Sequence, residues 1–315
     1  MIKKRRKYPL KLKKAHALLR RLHPLHPTRL EIEEDLKKNH AGFRGEKELD
    51  YHLGFLPQDD YFIYQGLQLP GFQIDCLVLC SRFAVIIESK NFSGTLTFDS
   101  SSHQFYRTKD NQKEGFPDPI LQAKRHKIKL QKWLTTHKLK PLPIQTLISI
   151  AFPTTIIETD NSNYHLFETV THAERIPDKI AALFSFYPEV SLSPYHLKKW
   201  NDTLLTEDQA EKFDALAFYQ IKPTDFTQGI SCRTCYHNPM KRIYGKWKCP
   251  GCQATSRKAH VGPILDHLLL VNQLTNQDAQ RLLHFSTTYT VSRLLSAMKL
   301  PFTGDNKGRV YYYPY

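Results

Sequence analysis

At 315 residues, with 41 % hydrophobic and 12 % aromatic side chains, the chain has the apolar mass for two or three domains and not the composition of a disordered one. Its formal charge of +15 is unevenly placed: +11 over residues 1–30, −5 over 31–228 and +9 over 229–315. Basic flanks around a near-neutral centre favour a polyanion, and nucleic acid is expected ahead of a membrane surface because no Trp/Phe-bearing face accompanies the N-terminal cations. No apolar run approaches the roughly 18 residues of a bilayer span. The basic start lacks the continuous apolar core of a signal peptide, so a cytoplasmic location without a membrane partner is expected.

Taken in order, residues 1–30 read as a basic arm with a short helix around Leu18, Leu19 and Leu22, stopped by Pro24 and Pro27. Thr28 offers an N-cap for an exposed helix over Arg29 to Asn39. Gly42 and Gly45 then allow a close backbone approach before a second helix to about Leu53, with Glu46 in its first turn. Tyr61 to Leu67 reads as a strand. After it come two runs rich in β-branched and apolar residues, Gln73 to Leu79 and Ala84 to Lys90, which predict paired strands. Each carries charge where a buried strand should not: Asp75 in one, Glu88 and Lys90 in the other. Alternation puts Glu88 and Lys90 on one face and Ser89 on the opposite one.

A further hairpin is expected over Thr95 to Phe98 and Gln104 to Arg107. A helix follows from Pro119 to about His137, whose dense basic face includes Lys124 and Arg125. Ile144 to Phe152 is a buried-type strand, Tyr164 to Phe167 another, and a short helix lies near Ala181. This order points to an α/β fold over 31–190. Residues 191–228 read as a helical connector, with a helix over Ser193 to Leu205 and a second opened by Thr206 to Gln209.

Cys232-x-x-Cys235 and Cys249-x-x-Cys252, thirteen residues apart, have the spacing of a tetrahedral four-thiolate Zn²⁺ site. Such a site has no open position, so its zinc is expected to be structural, within a ribbon over 229–258. Lys241, Arg242, Lys246, Lys248 and Trp247 in its hairpin could meet nucleic acid through phosphates and stacking. Over 259–315, a helix from Pro263 to Leu274, a second capped by Thr275 and a third begun by Ser286/Thr287 precede a Gly-rich turn and strand. This resembles a winged helix-turn-helix. Thr287, Thr288, Tyr289 and Arg293 would then face the major groove, with Lys307 and Arg309 in the wing.

The central motifs, Gly42-Phe43-Arg44-Gly45-Glu46, Ile74-Asp75 and Val85-Ile86-Ile87-Glu88-Ser89-Lys90-Asn91-Phe92-Ser93-Gly94, with Pro119 and Gln122, resemble the NERD (nuclease-related) domain over roughly residues 38–155. NERD domains are similar to the PD-(D/E)XK nuclease superfamily. The resemblance implies a PD-(D/E)XK-like mixed sheet flanked by helices, metal-bound Asp75 and Glu88, a catalytic Lys90, a supporting carboxylate at Glu46 and an auxiliary Gln122. Ile74 stands before Asp75 where many members of the superfamily carry proline.

A metal-dependent DNA nuclease is therefore expected, with Mg²⁺ or Mn²⁺ held by Asp75, Glu88 and the Ser89 carbonyl. Its partner would be DNA, with RNA as the alternative, and a homodimer is compatible with the sequence. The competing reading keeps the fold as a non-catalytic DNA-binding or regulatory scaffold, in which Lys90 merely pairs with Asp75 or Glu88.

Overall fold

Residues 1–30 form ordered elements rather than an arm: a strand, β1 (Ile2–Lys4), and a helix, α1 (Leu10–Arg21). The structure, a computed structural model, describes all residues except 58, 100, 103, 160–163, 286 and 315, and leaves out the side chain of Lys307. The chain divides into two compact units, one of residues 1–8 and 39–211, the other of residues 9–38 and 212–315. The expected pair of helices after Thr28 is a single helix, α2 (Arg29–Leu53). Gly42 and Gly45 do not break it, so Glu46 sits deep in the helix rather than in a first turn.

The first unit is built on a six-stranded mixed sheet. Its strands are β1, β2 (Phe62–Leu69), β3 (Phe72–Leu79), β4 (Ala84–Lys90), β8 (Ile144–Ile150) and β10 (Val170–His172), in that spatial order. The pairs β2/β3 and β3/β4 are antiparallel, whereas β1 on β2, β4 on β8 and β8 on β10 are parallel. A second sheet has the order β7 (Gln112–Phe116), β6 (Gln104–Lys109), β5 (Thr95–Asp99) and β9 (Ile156–Thr159). The expected strand over Tyr164 to Phe167 is instead a turn entering a short helix, α4 (Leu166–Thr169).

Both faces of the main sheet are covered. One buries Leu77, Leu79, Ala84 and Ile86 under Leu130, Trp133 and Leu134 of α3 (Pro119–Thr136) and under Trp200 and Leu204 of α6 (Pro194–Thr206). The other buries Val78, Val85, Ile87 and Leu147 under Leu49 and Leu53 of α2 and Ile176 and Ile180 of α5 (Ile176–Phe186). A fully buried aliphatic side chain of this kind contributes about 1.5–3 kcal/mol. That explains why β3 and β4 read as continuous apolar runs.

The helix expected over Ser193 to Leu205 is α6, and Ser193 caps it. Thr206 to Gln209 opens no further helix: Glu207 ends α6, and the Asp208 carboxylate accepts from Lys4 Nζ at 2.7 Å and from the Gln68 amide at 2.9 Å. The connector thus dissolves, its first part packing in the sheet unit and residues 212–228, with α7 (Ala215–Phe218), belonging to the other.

In the second unit, β11 (Lys241–Ile243), β12 (Lys246–Lys248) and β13 (Thr255–Ser256) form an antiparallel sheet around the cysteines. Then come α8 (Val261–Val271), β14 (Gln273–Thr275), α9 (Asn276–Leu283), α10 (Thr288–Ala297), β15 (Phe302–Thr303) and β16 (Val310–Tyr312). The three strands pair in the order β14, β16, β15. Thr275 and Asp278 cap α9 reciprocally. Ser286, expected at the start of the third helix, lies outside the described residues. Val291, Leu294 and Leu295 of α10 join Ile264 and Leu268 of α8, Trp247 and the buried Cys232 and Cys249 in one core.

Candidate active site

The central polar group of the sheet unit forms where β4 ends under α3. Asp118 caps α3 by accepting from the Ile120 amide at 2.6 Å, and Pro119 is already in helical φ at the first position. The helix so aimed brings Gln122 and His126 to Glu88, which is 2 % exposed. Glu88 Oε1 accepts from Lys90 Nζ at 2.9 Å and from Gln122 Nε2. Lys90 Nζ also donates to Gln122 Oε1 at 2.9 Å. Glu88, Lys90 and Gln122 therefore close a triangle of polar contacts. Glu88 Oε2 faces His126 Nδ1 at 3.4 Å, and both atoms are buried without a hydrogen bond among the described residues.

Asp75 lies on the neighbouring strand, and its Oδ2 accepts from the Ser89 amide at 3.0 Å. The carboxyl of Glu88 is raised by burial, but His126 and Lys90 more than offset this and hold it below its ordinary value. Asp75 behaves in the opposite way: burial, then the negative charges of Glu88 and Glu46, push its carboxyl up to about 8. One carboxyl of the pair is compensated by its side-chain neighbours and the other is short of positive charge.

Glu46 reaches this neighbourhood from α2, but its own partner is a residue that sequence reading passed over. Arg6, two residues past β1, donates from Nη1 to Glu46 at 2.7 Å, from Nε to Asp50 at 2.8 Å, and from Nη2 to Asp50 at 3.1 Å and to the Asp75 carbonyl at 2.8 Å. Gly66 (φ +64) makes room for it, since a Cβ there would stand 3.3 Å from Arg6 Nη1. Burial raises the Glu46 carboxyl and Arg6 opposes the rise. Gly45 serves a close approach, as its place before Glu46 predicts: an added Cβ would lie 2.7 Å from Asn91 Cβ. Gly42 has open space instead.

These donors can be matched to the metals expected of them. Asp75 and Glu88 offer oxygen, the donor Mg²⁺ and Mn²⁺ prefer; Glu88 Oε2, which accepts no hydrogen bond among the described residues, and the under-compensated Asp75 both fit a nearby cation. Among the described residues, Asp75 and Glu88 belong to no group of three or more carboxylate or His ligands lying within 4.8 Å of one another. Such a pair suits a magnesium-type ion that keeps most of its water.

The four cysteines do converge, all sulfurs lying within 4.8 Å of one another. Cys232 and Cys252 sulfurs are 3.6 Å apart, and those of Cys235 and Cys249 3.4 Å. A tetrahedral site with 2.3 Å Zn–S bonds has edges of about 3.8 Å, so the cluster fits zinc. Amides of Cys235 and Thr234 lower the Cys232 thiol to about 6, whereas Cys252, despite the Ala254 amide, is pushed up to about 12 by the neighbouring sulfurs, a crowding of thiols that a bound metal would relieve.

Of the residues read as nucleic-acid contacts, Lys124 and Arg125 are exposed on α3, Lys241 and Lys246 are exposed on the ribbon hairpin, and Thr288 and Arg293 are exposed on α10. Arg293 lies 5.9 Å from the exposed Tyr289 ring. Arg242 is half-buried and stacks on Trp247 at 5.2 Å, while Arg309 stacks on Phe302 at 4.1 Å. Trp247 offers no stacking platform, because it is buried and donates to His260 Nδ1 at 3.2 Å. The hairpin instead exposes Tyr244 at its turn. The side chain of Lys307 lies outside the described residues.

The sheet unit thus presents a lysine beside two carboxylates on adjacent strands of a mixed α/β sheet. Residues 41–151 match the family model of the nuclease-related domain, NERD. That stretch runs from α2 through β8 and contains Glu46, Asp75, Glu88, Lys90, Gln122 and His126, but not Arg6. No curated protein and no solved structure matches the chain. No helix among the described residues is long and apolar enough to cross a membrane.

Proposed function

We propose that the protein is a metal-dependent nuclease that hydrolyses DNA phosphodiester bonds, with its second unit, a zinc ribbon and winged-helix-like module, helping to hold the nucleic acid. The observation that carries this reading is the buried Glu88 in contact with Lys90 and Gln122, with Asp75 on the next strand, inside a stretch matching a nuclease-related family. A Mg²⁺ or Mn²⁺ ion on the Asp75 and Glu88 carboxylates, with the Ser89 carbonyl, would supply Lewis acidity toward the scissile phosphate and a more acidic water.

The chain's own residues do the rest. Lys90, which donates to Gln122, would stabilise negative charge growing on the phosphate oxygens. Gln122 fixes Lys90 and Glu88 against each other, so neither must reorganise as charge develops. Arg6 compensates Glu46 and Asp50, which limits repulsion of an incoming phosphate. His40, Arg44 and Lys47 line a cavity of about 520 Å³ together with Asn91, a basic surface suited to the strand being cut.

The test is cleavage of single-stranded, duplex and branched DNA with Mg²⁺, with Mn²⁺ and with neither. Cleavage should require metal, and Glu88→Ala and Lys90→Ala should each reduce it by on the order of 10²-fold or more. Metal-independent cleavage, or variants as active as the parent, would reject the proposal. The scaffold reading draws on the Glu88–Lys90 ion pair at 2.9 Å, and salt-sensitive DNA binding with no cleavage would favour it.

A further inference from the structure

The second unit contains a cleft of about 1120 Å³, larger than a typical small-ligand pocket, between the end of α1, the first cysteine knuckle and the start of α8. Its walls carry Arg20, Arg21, Arg29, Arg233 and Lys258 and one acid, Asp266. Asp266 is spoken for, accepting from Arg20 Nη2 at 2.6 Å and Nε at 2.9 Å. Arg29 pairs with Glu33. Among the described residues the side chains of Arg233 and Lys258 have no acidic partner, although both face the cleft.

Two details show that positive charge there exceeds its compensation. The helix α8 begins with Val261, Gly262 and Pro263 on the cleft wall and has no side-chain cap, so the positive end of an 11-residue helix is turned toward it. The Arg233 guanidinium lies against this first turn, with Nη2 3.4 Å from where a Cβ of Gly262 would stand. A cation set on the positive end of a helix is unfavourable unless an anion joins them. Arg21, also on the cleft wall, is 3 % exposed; its Nη2 donates to the Thr227 carbonyl, and its buried Nε has no hydrogen-bond partner. At the rim Tyr236 is 82 % exposed, an aromatic face available for stacking.

We propose that this cleft is a phosphate-binding channel for single-stranded nucleic acid, with Arg233, Lys258 and the α8 N-terminus on the backbone and Tyr236 under a base. It rests on the reading above in that the ligand is nucleic acid, and it adds a binding site away from the cutting residues. A single strand fits better than a duplex because a cleft admits a flexible backbone and an exposed tyrosine can stack only on an unpaired base.

The experiment measures fluorescence anisotropy of a short labelled single-stranded DNA, and of its blunt duplex, with magnesium-free full-length protein. Arg233→Glu/Lys258→Glu should weaken single-strand binding by roughly tenfold or more and flatten its salt dependence by about 0.7 in log–log slope per lost phosphate contact. Lys212→Glu/Lys299→Glu, two exposed sites outside the cleft, makes the same change in net charge and is the control. Tyr236→Ala should weaken the single strand more than the duplex.

If charge reversal costs the protein its zinc, Arg233→Gln/Lys258→Gln carries the test, with a smaller drop in the same direction. A zinc-loaded double variant that binds like the parent overturns the proposal, as does parent protein that prefers duplex, an acidic phosphopeptide or anionic vesicles. The two proposals fail separately. Lost binding in the cleft variant with no cleavage under any metal sinks the nuclease and keeps the channel. Cleavage that depends on Asp75, with binding indifferent to Arg233 and Lys258, does the reverse.

Discussion

The two polar centres of this protein are assembled on opposite plans. The cysteine cluster draws its ligands from residues 232–252, on two turns flanking one hairpin, and each contributes the same atom. The carboxylate centre gathers Arg6, Glu46, Asp50, Asp75, Glu88, Lys90, Gln122 and His126 from two helices and three strands or strand ends. In the first, a missing metal removes the reason for the local fold. In the second, hydrophobic cover on both faces of the sheet holds the backbone, and the polar groups are compensated by one another. The difference teaches that a site can be fold-making or fold-borne, and that the two should fail differently.

The largest effect expected of that contrast is on the ribbon. Cys249→Ser should lose bound zinc, measurable by elemental analysis, and with it about 10 kcal/mol or more of local folding energy. Because Cys232, Cys249 and Trp247 share a core with α8 and α10, the loss should appear in Trp247 fluorescence and not stay within the ribbon. A variant that keeps its near-UV spectrum without zinc would break the comparison.

The next effect sharpens the other side. Arg6→Met leaves Glu46 and Asp50 without their cation, and breaking such a buried network costs about 3–5 kcal/mol. Urea unfolding should show that loss in the sheet unit while zinc content stays unchanged. Equal stability would mean that the guanidinium contributes nothing net to the fold.

The smallest effect concerns acid. Burial, and then the charge of Arg242, lower the His260 imidazole to about 4 in the fold, against about 6.5 when unfolded. The unfolded chain therefore binds the extra proton between those values, so this stabilisation is complete above about pH 6.5 and is lost as pH falls toward 4. Protonation would also remove the acceptor for Trp247 Nε1. Comparing thermal midpoints of the parent and His260→Gln at about pH 7 and about pH 5 isolates this, because thiolate protonation is common to both. The parent should lose a few degrees more than the variant.

The same contrast explains what could be read from sequence. Spacing alone predicts the cysteine cluster, since two short turns bring like ligands together wherever the surrounding chain goes. Alternation along β4 predicts Glu88 and Lys90 on one face, and charge inside an apolar strand marks Asp75. Periodicity could not show that Arg6 enters the sheet unit, because a run of cations before a proline looks the same whether it is solvated or buried. His126 is hidden for a related reason: it lies among Lys124, Arg125, Lys127 and Lys129 on a helix whose basic face masks the residue that turns inward. Its position four residues after Gln122, one helical turn on, was the available signal. The break expected near Gly42 failed because tertiary packing, with Gly45 against Asn91, outweighs the cost of two glycines within a helix.

Arg6 has a last consequence, which follows from its being part of the chain. A bound ion can be diluted away, stripped by a chelator or exchanged for another of different radius, whereas a guanidinium stays charged at any pH the protein meets. Glu46 and Asp50 therefore carry a tethered counter-ion, and their surroundings keep the same charge whether or not metal is present. Variation in metal supply would then register most at Asp75 and Glu88, while Glu46, which feels Glu88, is steadied by a cation of its own.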